Sequence, residues 1–302
     1  MTPSSAAAHS RLALVAAFAI VYVVWGSTYL AIRFAIETLP PFLMAASRFL
    51  VAGAVLYLWA RLAGGAERPG RPQWLATGAV GLLLLLGGNG LVVWSELKVP
   101  SGVAALIVAL VPVFMVLVDW LRPGGSRPSL QVVAGLALGI AGVAWLVGPD
   151  SLAGGGRIDL IGAGALVLAC LSWSLGSIYQ RHAPMPGSPS LSTAMQMLAG
   201  GAGLFLIGVA LGEPRRIDVA AFSLRSVLGF AYLIVFGSIL AFSAYIWLLK
   251  ASTPARVSTY AYVNPVVAVL LGWALADEPL TPRMLVAAAV IVGGVALITL
   301  KR

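Results

Sequence analysis

The residues of this chain that could do chemistry are mostly uncharged, and they stand inside long apolar runs. Trp25-Gly26-Ser27-Thr28-Tyr29 comes first, followed by Arg48, Gly87-Gly88-Asn89-Gly90 and Trp94. Trp173, Ser177, Tyr245, Tyr262 and Asn264 lie further along. Indoles, phenols, hydroxyls and amides of this kind can hold a small amphipathic solute by apolar contact and a few hydrogen bonds. For Trp94, Tyr179 and Trp247, near run ends, an interfacial aromatic belt is an equal alternative. Catalysis would need paired acids, a nucleophile beside a base, or a set of His and Cys ligands. None of these lies within a run. Cys170 is the single cysteine, and His9 and His182 lie outside the runs with no second ligand nearby. The sequence therefore predicts no enzyme, no metal and no cofactor.

Two charged residues need separate treatment. Arg48 is the only charge well inside a run, eight residues beyond Pro40, or roughly 12 Å along a helix. An ionisable residue at that depth is costly in lipid and is a functional candidate. It could meet a substrate carboxylate or hold freed backbone carbonyls. Glu96 follows the third run, just before Lys98-Val99-Pro100. No carboxylate lies deep in any run, so Glu96 is the candidate proton-coupling group. The plain alternative is a loop salt bridge with Lys98.

The elements that carry these residues must be membrane helices. Of 302 residues, 60% are hydrophobic and 10% charged, against about 25% charged in an ordinary soluble domain. The mean hydropathy is +0.99. The runs are 12–32, 38–60, 72–95, 99–118, 128–149, 160–180, 183–212, 226–249, 257–276 and 284–300. A span needs about 20 apolar residues, and backbone polar groups in lipid must be satisfied internally, so these are helices. The run 183–212 opens with Pro184, Pro186 and Pro189, which places its helix start near Ser190. Thr281 and Pro282 read as a cap and first turn for the last run. The first run is too long for a signal peptide and reads as a span. The net charge of +9 comes from basic residues scattered between runs, which does not suit nucleic acid. The expected partners are the lipid bilayer and a small-molecule substrate, for a chain that could be monomeric. With the N-terminus inside, eleven Lys and Arg lie inside and seven outside. That favours cytoplasmic termini in a bacterial inner membrane.

The two halves resemble each other. Trp94 and Trp120 align with Trp247 and Trp273 at an offset of 153, which also pairs Pro112 with Pro265. Trp25 pairs with Trp173, and Arg33 with Arg181, at an offset of 148. The repeats are 11–148 and 158–300, joined by a Gly-rich linker at 149–157. Each holds five helices, an odd number, so the second enters the membrane from the opposite side. The fold class is thus an all-α integral membrane protein of ten helices, two inverted repeats around a central cavity. Inverted repeats are common in secondary transporters, with the site near paired helix interruptions. Pro112 and Pro265 are the predicted kinks or hinges. Gly135/Gly139 and Gly293-Gly294 predict close helix contact in the fifth and tenth helices.

Trp25-Gly-Ser-Thr-Tyr-Leu-Ala-Ile-Arg33, Pro40-Pro41 and Ser47-Arg48-Phe49 resemble the opening of EamA-type transporters of the drug/metabolite transporter superfamily. So do Val99-Pro-Ser-Gly-Val-Ala-Ala105 with Pro112, Trp173-Ser-Leu-Gly-Ser177, and Tyr260-Ala-Tyr-Val-Asn-Pro-Val-Val-Ala-Val-Leu-Leu-Gly272 followed by Glu278. The resemblance is closest to the ten-helix bacterial inner-membrane permeases and spans nearly the whole chain. It implies two five-helix repeats, cytoplasmic termini, a central cavity, and export of amino acids, related metabolites or drugs. Import of the same solutes and a non-transporting scaffold are the alternatives.

Overall fold

The computed structural model describes residues 11–62, 68–125, 127–152, 158–252 and 260–299. These fold into ten apolar helical spans, eight long and two shorter. They are α1 Arg11–Ala35, α2 Pro41–Leu62, α3 Arg71–Ser95, α4 Ser101–Leu121, α5 Leu130–Leu152, α6 Leu160–Gln180, α7 Pro189–Ala210, α8 Leu224–Leu248, α9 Tyr260–Ala276 and α10 Pro282–Thr299. Residues 257–259 and 300 of the predicted runs, and 153–157 of the predicted linker, lie outside the described residues. Residues 149–152 continue α5 as helix.

Caps and prolines set the starts. Asp159 accepts a hydrogen bond from Gly162 N at 2.7 Å, and Ser188 from Leu191 N at 3.4 Å ahead of Pro189. Ser223 accepts from Ser226 N at 3.1 Å, and Thr281 Oγ1 from Met284 N at 3.2 Å. Each satisfies one of the donors a helix start leaves unpaired. The outward faces are apolar. Trp59 of α2, Trp145 of α5, Leu206 of α7 and Leu228 of α8 are all more than half exposed, which suits a lipid exterior and not water.

The packing exchanges the two halves. Helices α2 and α7, α4 and α9, and α5 and α10 pack on each other, each pair joining equivalent spans. Helix α1 packs on α8 and α9, while its equivalent α6 packs on α3 and α4. A pseudo-two-fold axis requires that pattern. Five crossings per half make the axis lie in the membrane plane, so the repeats are inverted. Small residues set the close approaches. A Cβ on Gly294 would fall 2.7 Å from Gly135 O and 2.8 Å from Gly139 N, as expected from the glycine spacing. On Gly26 it would fall 2.6 Å from Val267 Cβ, so α1 lies against α9.

Candidate functional site

Helices α3 and α8, equivalent in the two repeats, both widen into a π-helical stretch. These are Leu82–Gly90 and Leu233–Leu240. Such widening shifts the hydrogen-bond register, turns carbonyls and side chains toward a neighbour, and is frequent at functional sites. In α3 the stretch carries Gly87, Gly88 and Asn89, with Ser172 and Trp173 of α6 set against the two glycines. Ser172 Oγ donates to Leu83 O at 2.7 Å. In α8 it carries Gly237 and Ser238. Trp25 Nε1 donates to Gly237 O at 3.3 Å, and Arg48 Nε donates to Ser238 Oγ at 2.6 Å.

Pro112 breaks α4. Its first segment ends at Val108 and the second starts at Val111. The ring removes a donor, so carbonyls one turn back lose their helical partner. Side chains of α6 approach them. Cys170 Sγ lies 3.6 Å from Ile107 O and 3.9 Å from Val108 O, and Ser174 Oγ donates to Val111 O at 3.2 Å. In α9, Pro265 follows Asn264. With its amide nitrogen turned to the carbonyls, Asn264 donates to Tyr260 O at 3.2 Å and to Tyr22 O at 3.1 Å.

Between these elements lies a cavity of about 730 Å³, counting the open space at its mouth. The structure brings Trp25, Thr28, Tyr29, Arg48, Asn89, Trp173 and Asn264 to its wall. Trp25 and Trp173, equivalent positions of the two repeats, meet edge to face at 6.1 Å between ring centroids. Phe49, Phe242, Tyr260, Gly237 and Cys170 also line it. Sequence reasoning did not reach these five. Phe242 and Phe49 sit in spans apolar on every side, and Gly237 became a wall residue only through the local widening of α8. Tyr260 belonged to a motif used for the resemblance but was not chosen.

Other candidates lie elsewhere. Ser27 Oγ bonds Val24 O at 2.8 Å and Tyr232 Oη at 2.7 Å, away from the cavity. Ser177 Oγ turns back to Trp173 O at 2.7 Å. Tyr245 stands behind the wall, its ring 4.8 Å from that of Trp25. Trp94 lies at the end of α3, with Lys98 Nζ 5.7 Å from its ring centroid. The side chain of Tyr262 lies outside the described residues.

At the face away from Arg11, carboxylates join the repeats. Glu213, after α7, accepts from Phe42 N at 3.1 Å and Leu43 N at 2.8 Å at the start of α2. Glu278, after α9, accepts from Ser101 N at 2.7 Å, Ser101 Oγ at 2.8 Å and Gly102 N at 3.0 Å at the start of α4. A carboxylate across a helix N-terminus is favoured by both its free N–H groups and its dipole. Glu37 pairs with Arg225 at 3.6 Å, and Lys98 with Asp159 at 3.9 Å. The Lys98–Asp159 pairing overturns the alternative of a Glu96–Lys98 salt bridge. Glu96 is instead fully buried, with neither oxygen hydrogen-bonded. Burial holds its carboxyl well above the usual range; nearby Glu278 adds to the shift and Arg33 opposes it. Among the described residues no group of His, Cys, Asp or Glu could hold a metal.

A model of the EamA-like transporter family matches residues 12–148 and 160–300. The chain is 40% identical, over 96% of its length and 92% of the relative's, to the uncharacterized inner membrane transporter YedA of Escherichia coli (strain K12). It is 28% identical to the uncharacterized transporter YvbV of Bacillus subtilis (strain 168), over 97% and 92%. It is 27% identical to protein PecM of Dickeya dadantii (strain 3937), over 87% and 84%. One solved crystal structure superposes with a TM-score of 0.66, at 23% identity, over 96% of this chain and 98% of the other. That likeness concerns the fold.

Proposed function

This chain belongs to the EamA-like transporter family, and from that premise we propose that it is a secondary exporter of small amphipathic metabolites, amino acids among them. The observation that carries this reading is the cavity on the axis between the repeats, walled by equivalent residues of both. A site so placed can be exposed to either side by rocking one repeat against the other. The termini are taken as cytoplasmic in a bacterial inner membrane, because Lys and Arg favour that side.

Glu96 is the coupling group in this reading. It stands one turn beyond Val92 of the cavity wall, facing Glu278 after α9 and Arg33 at the end of α1. A carboxyl kept protonated there, and deprotonated when the face opens to water, would tie solute movement to a proton.

The test is counterflow of radiolabelled amino acids, aromatic carboxylates and amines in proteoliposomes, with and without a pH gradient. Saturable exchange in one class is expected. Its absence for every solute, in protein of normal melting temperature, would overturn the carrier reading. Exchange indifferent to the gradient would remove Glu96 from coupling.

A further inference from the structure

Granted the carrier reading, the charge of the cargo can be read from the cavity. Arg48 is the only formally charged side chain among the described residues of the wall. It is 4% exposed. Its Nε donates to Ser238 Oγ at 2.6 Å, and its guanidinium carbon lies 4.7 Å from the Phe49 ring centroid. Neither neighbour carries a negative charge. Its Nη1 has no hydrogen-bond partner.

Among the described residues no carboxylate lines the cavity to serve as the counter-ion of Arg48. Glu96 faces Arg33 and Glu278, and Glu213 and Glu278 are spent on helix starts. A buried cation left without a partner is strongly unfavourable. The remaining described wall is uncharged, mostly aromatic and aliphatic, with Trp25, Trp173, Phe242 and Tyr260 among its rings and Thr28, Asn89 and Asn264 among its polar groups. Asn89 Oδ1 is a buried acceptor also without a partner, suited to a hydroxyl or N–H of the cargo.

We infer that the cargo is a singly charged organic anion, a carboxylate on an aromatic or apolar body, with the carboxylate on Arg48 and the body among the wall's rings. The anion brings the missing counter-charge, and an Arg–carboxylate pair out of water is a strong, directional contact. A zwitterion would bring an ammonium to a wall that holds no carboxylate among its described residues. An organic cation would add a second positive charge to an uncompensated one.

The test is calorimetric titration of the full chain in lipid nanodiscs with three solutes of matched shape: phenylacetate, phenylalanine and phenethylamine. Phenylacetate should bind at least tenfold tighter than phenylalanine, and phenethylamine weakest. Arg48→Gln should lower phenylacetate affinity at least tenfold, and Arg48→Lys should retain part of it. If Arg48→Gln does not fold, the ranking of the three solutes on the unaltered chain decides. The inference is overturned by equal or tighter binding of phenylalanine or phenethylamine. Failure of phenylacetate to bind, or unchanged affinity in folded Arg48→Gln, overturns it too. In the proteoliposome assay, saturable exchange of zwitterions or amines without carboxylates would keep the carrier reading and remove this one.

Discussion

Buried polar side chains normally find partners, so Arg48, Asn89 and Glu96, each with a buried atom left unpaired, cost stability, a cost that the proposed site roles would account for. Glu96 makes a signed prediction. Its carboxyl is raised in the folded chain by burial first, so above the unfolded value the unfolded chain ionises Glu96 while the fold still holds the proton, and the folded state loses ground. Its contribution to stability is intact at acid pH and falls with rising pH, by up to about 1.4 kcal/mol per pH unit. Melting curves of Glu96→Gln and the unaltered chain should coincide near pH 4 and diverge toward pH 9, with Glu96→Gln the more stable. Parallel curves would mean that Glu96 ionises in the fold as it does in the unfolded chain. Trp25 makes another. Its ring touches Trp173, Phe242, Tyr245 and Tyr260, so Trp25→Ala should cost about 3 kcal/mol of stability and raise the KM for exchange at least tenfold. A changed melting temperature with an unchanged KM would place Trp25 in packing alone.

Elements carry the next predictions. The α5–α10 contact depends on glycines facing glycines, and it is remote from the cavity wall. Gly294→Leu would drive a side chain into the backbone of Gly135 and Gly139, for roughly 1–3 kcal/mol of overpacking. The melting temperature in detergent should fall by several degrees, while exchange per folded molecule stays near normal. Loss of exchange in the folded fraction would show that α10 takes part in the transport motion. At this scale the sequence was legible where charges bound a run or a proline or cap opens it, as with Pro189, one residue ahead of the expected start at Ser190, and with Thr281 and Pro282. The π-helical stretches were not legible. Helix α6 packs against the first stretch and α2 against the second, contacts that neither run announces in its own residues.

At the scale of the whole molecule, the described carboxylate ties between the repeats gather at the face away from Arg11. Glu213 and Glu278 clasp α2 and α4 there, and the Glu37–Arg225 and Lys98–Asp159 pairs add to them. In the proposed exporter, opening that face would part the clasps. In a Cys170→Ser background, a reporter Ile32→Cys sits on the cavity wall toward this face. Replacing both clasps (Glu213→Ala with Glu278→Ala) should raise its labelling by a membrane-impermeant maleimide added on that side severalfold. Unchanged labelling in folded protein would mean the clasps only stabilise the helix starts.

The sequence by itself determined the solvent, the spans and the inversion. Lipid permits few charges and forces helices, and an odd number of crossings per half forces the second repeat upside down. It also picked out Arg48 and Asn89, because a charge or an amide inside an apolar run has few places to go. Only the tertiary structure decided which faces meet. Spans apolar on all sides carry no moment to orient them, so Phe49, Phe242 and Tyr260 joined the wall unannounced while Ser27 and Ser177 turned away. The fate of Glu96 was decided the same way. Its neighbour in sequence, Lys98, is taken by Asp159 from the other repeat, and that contact exists only once the two halves are packed together.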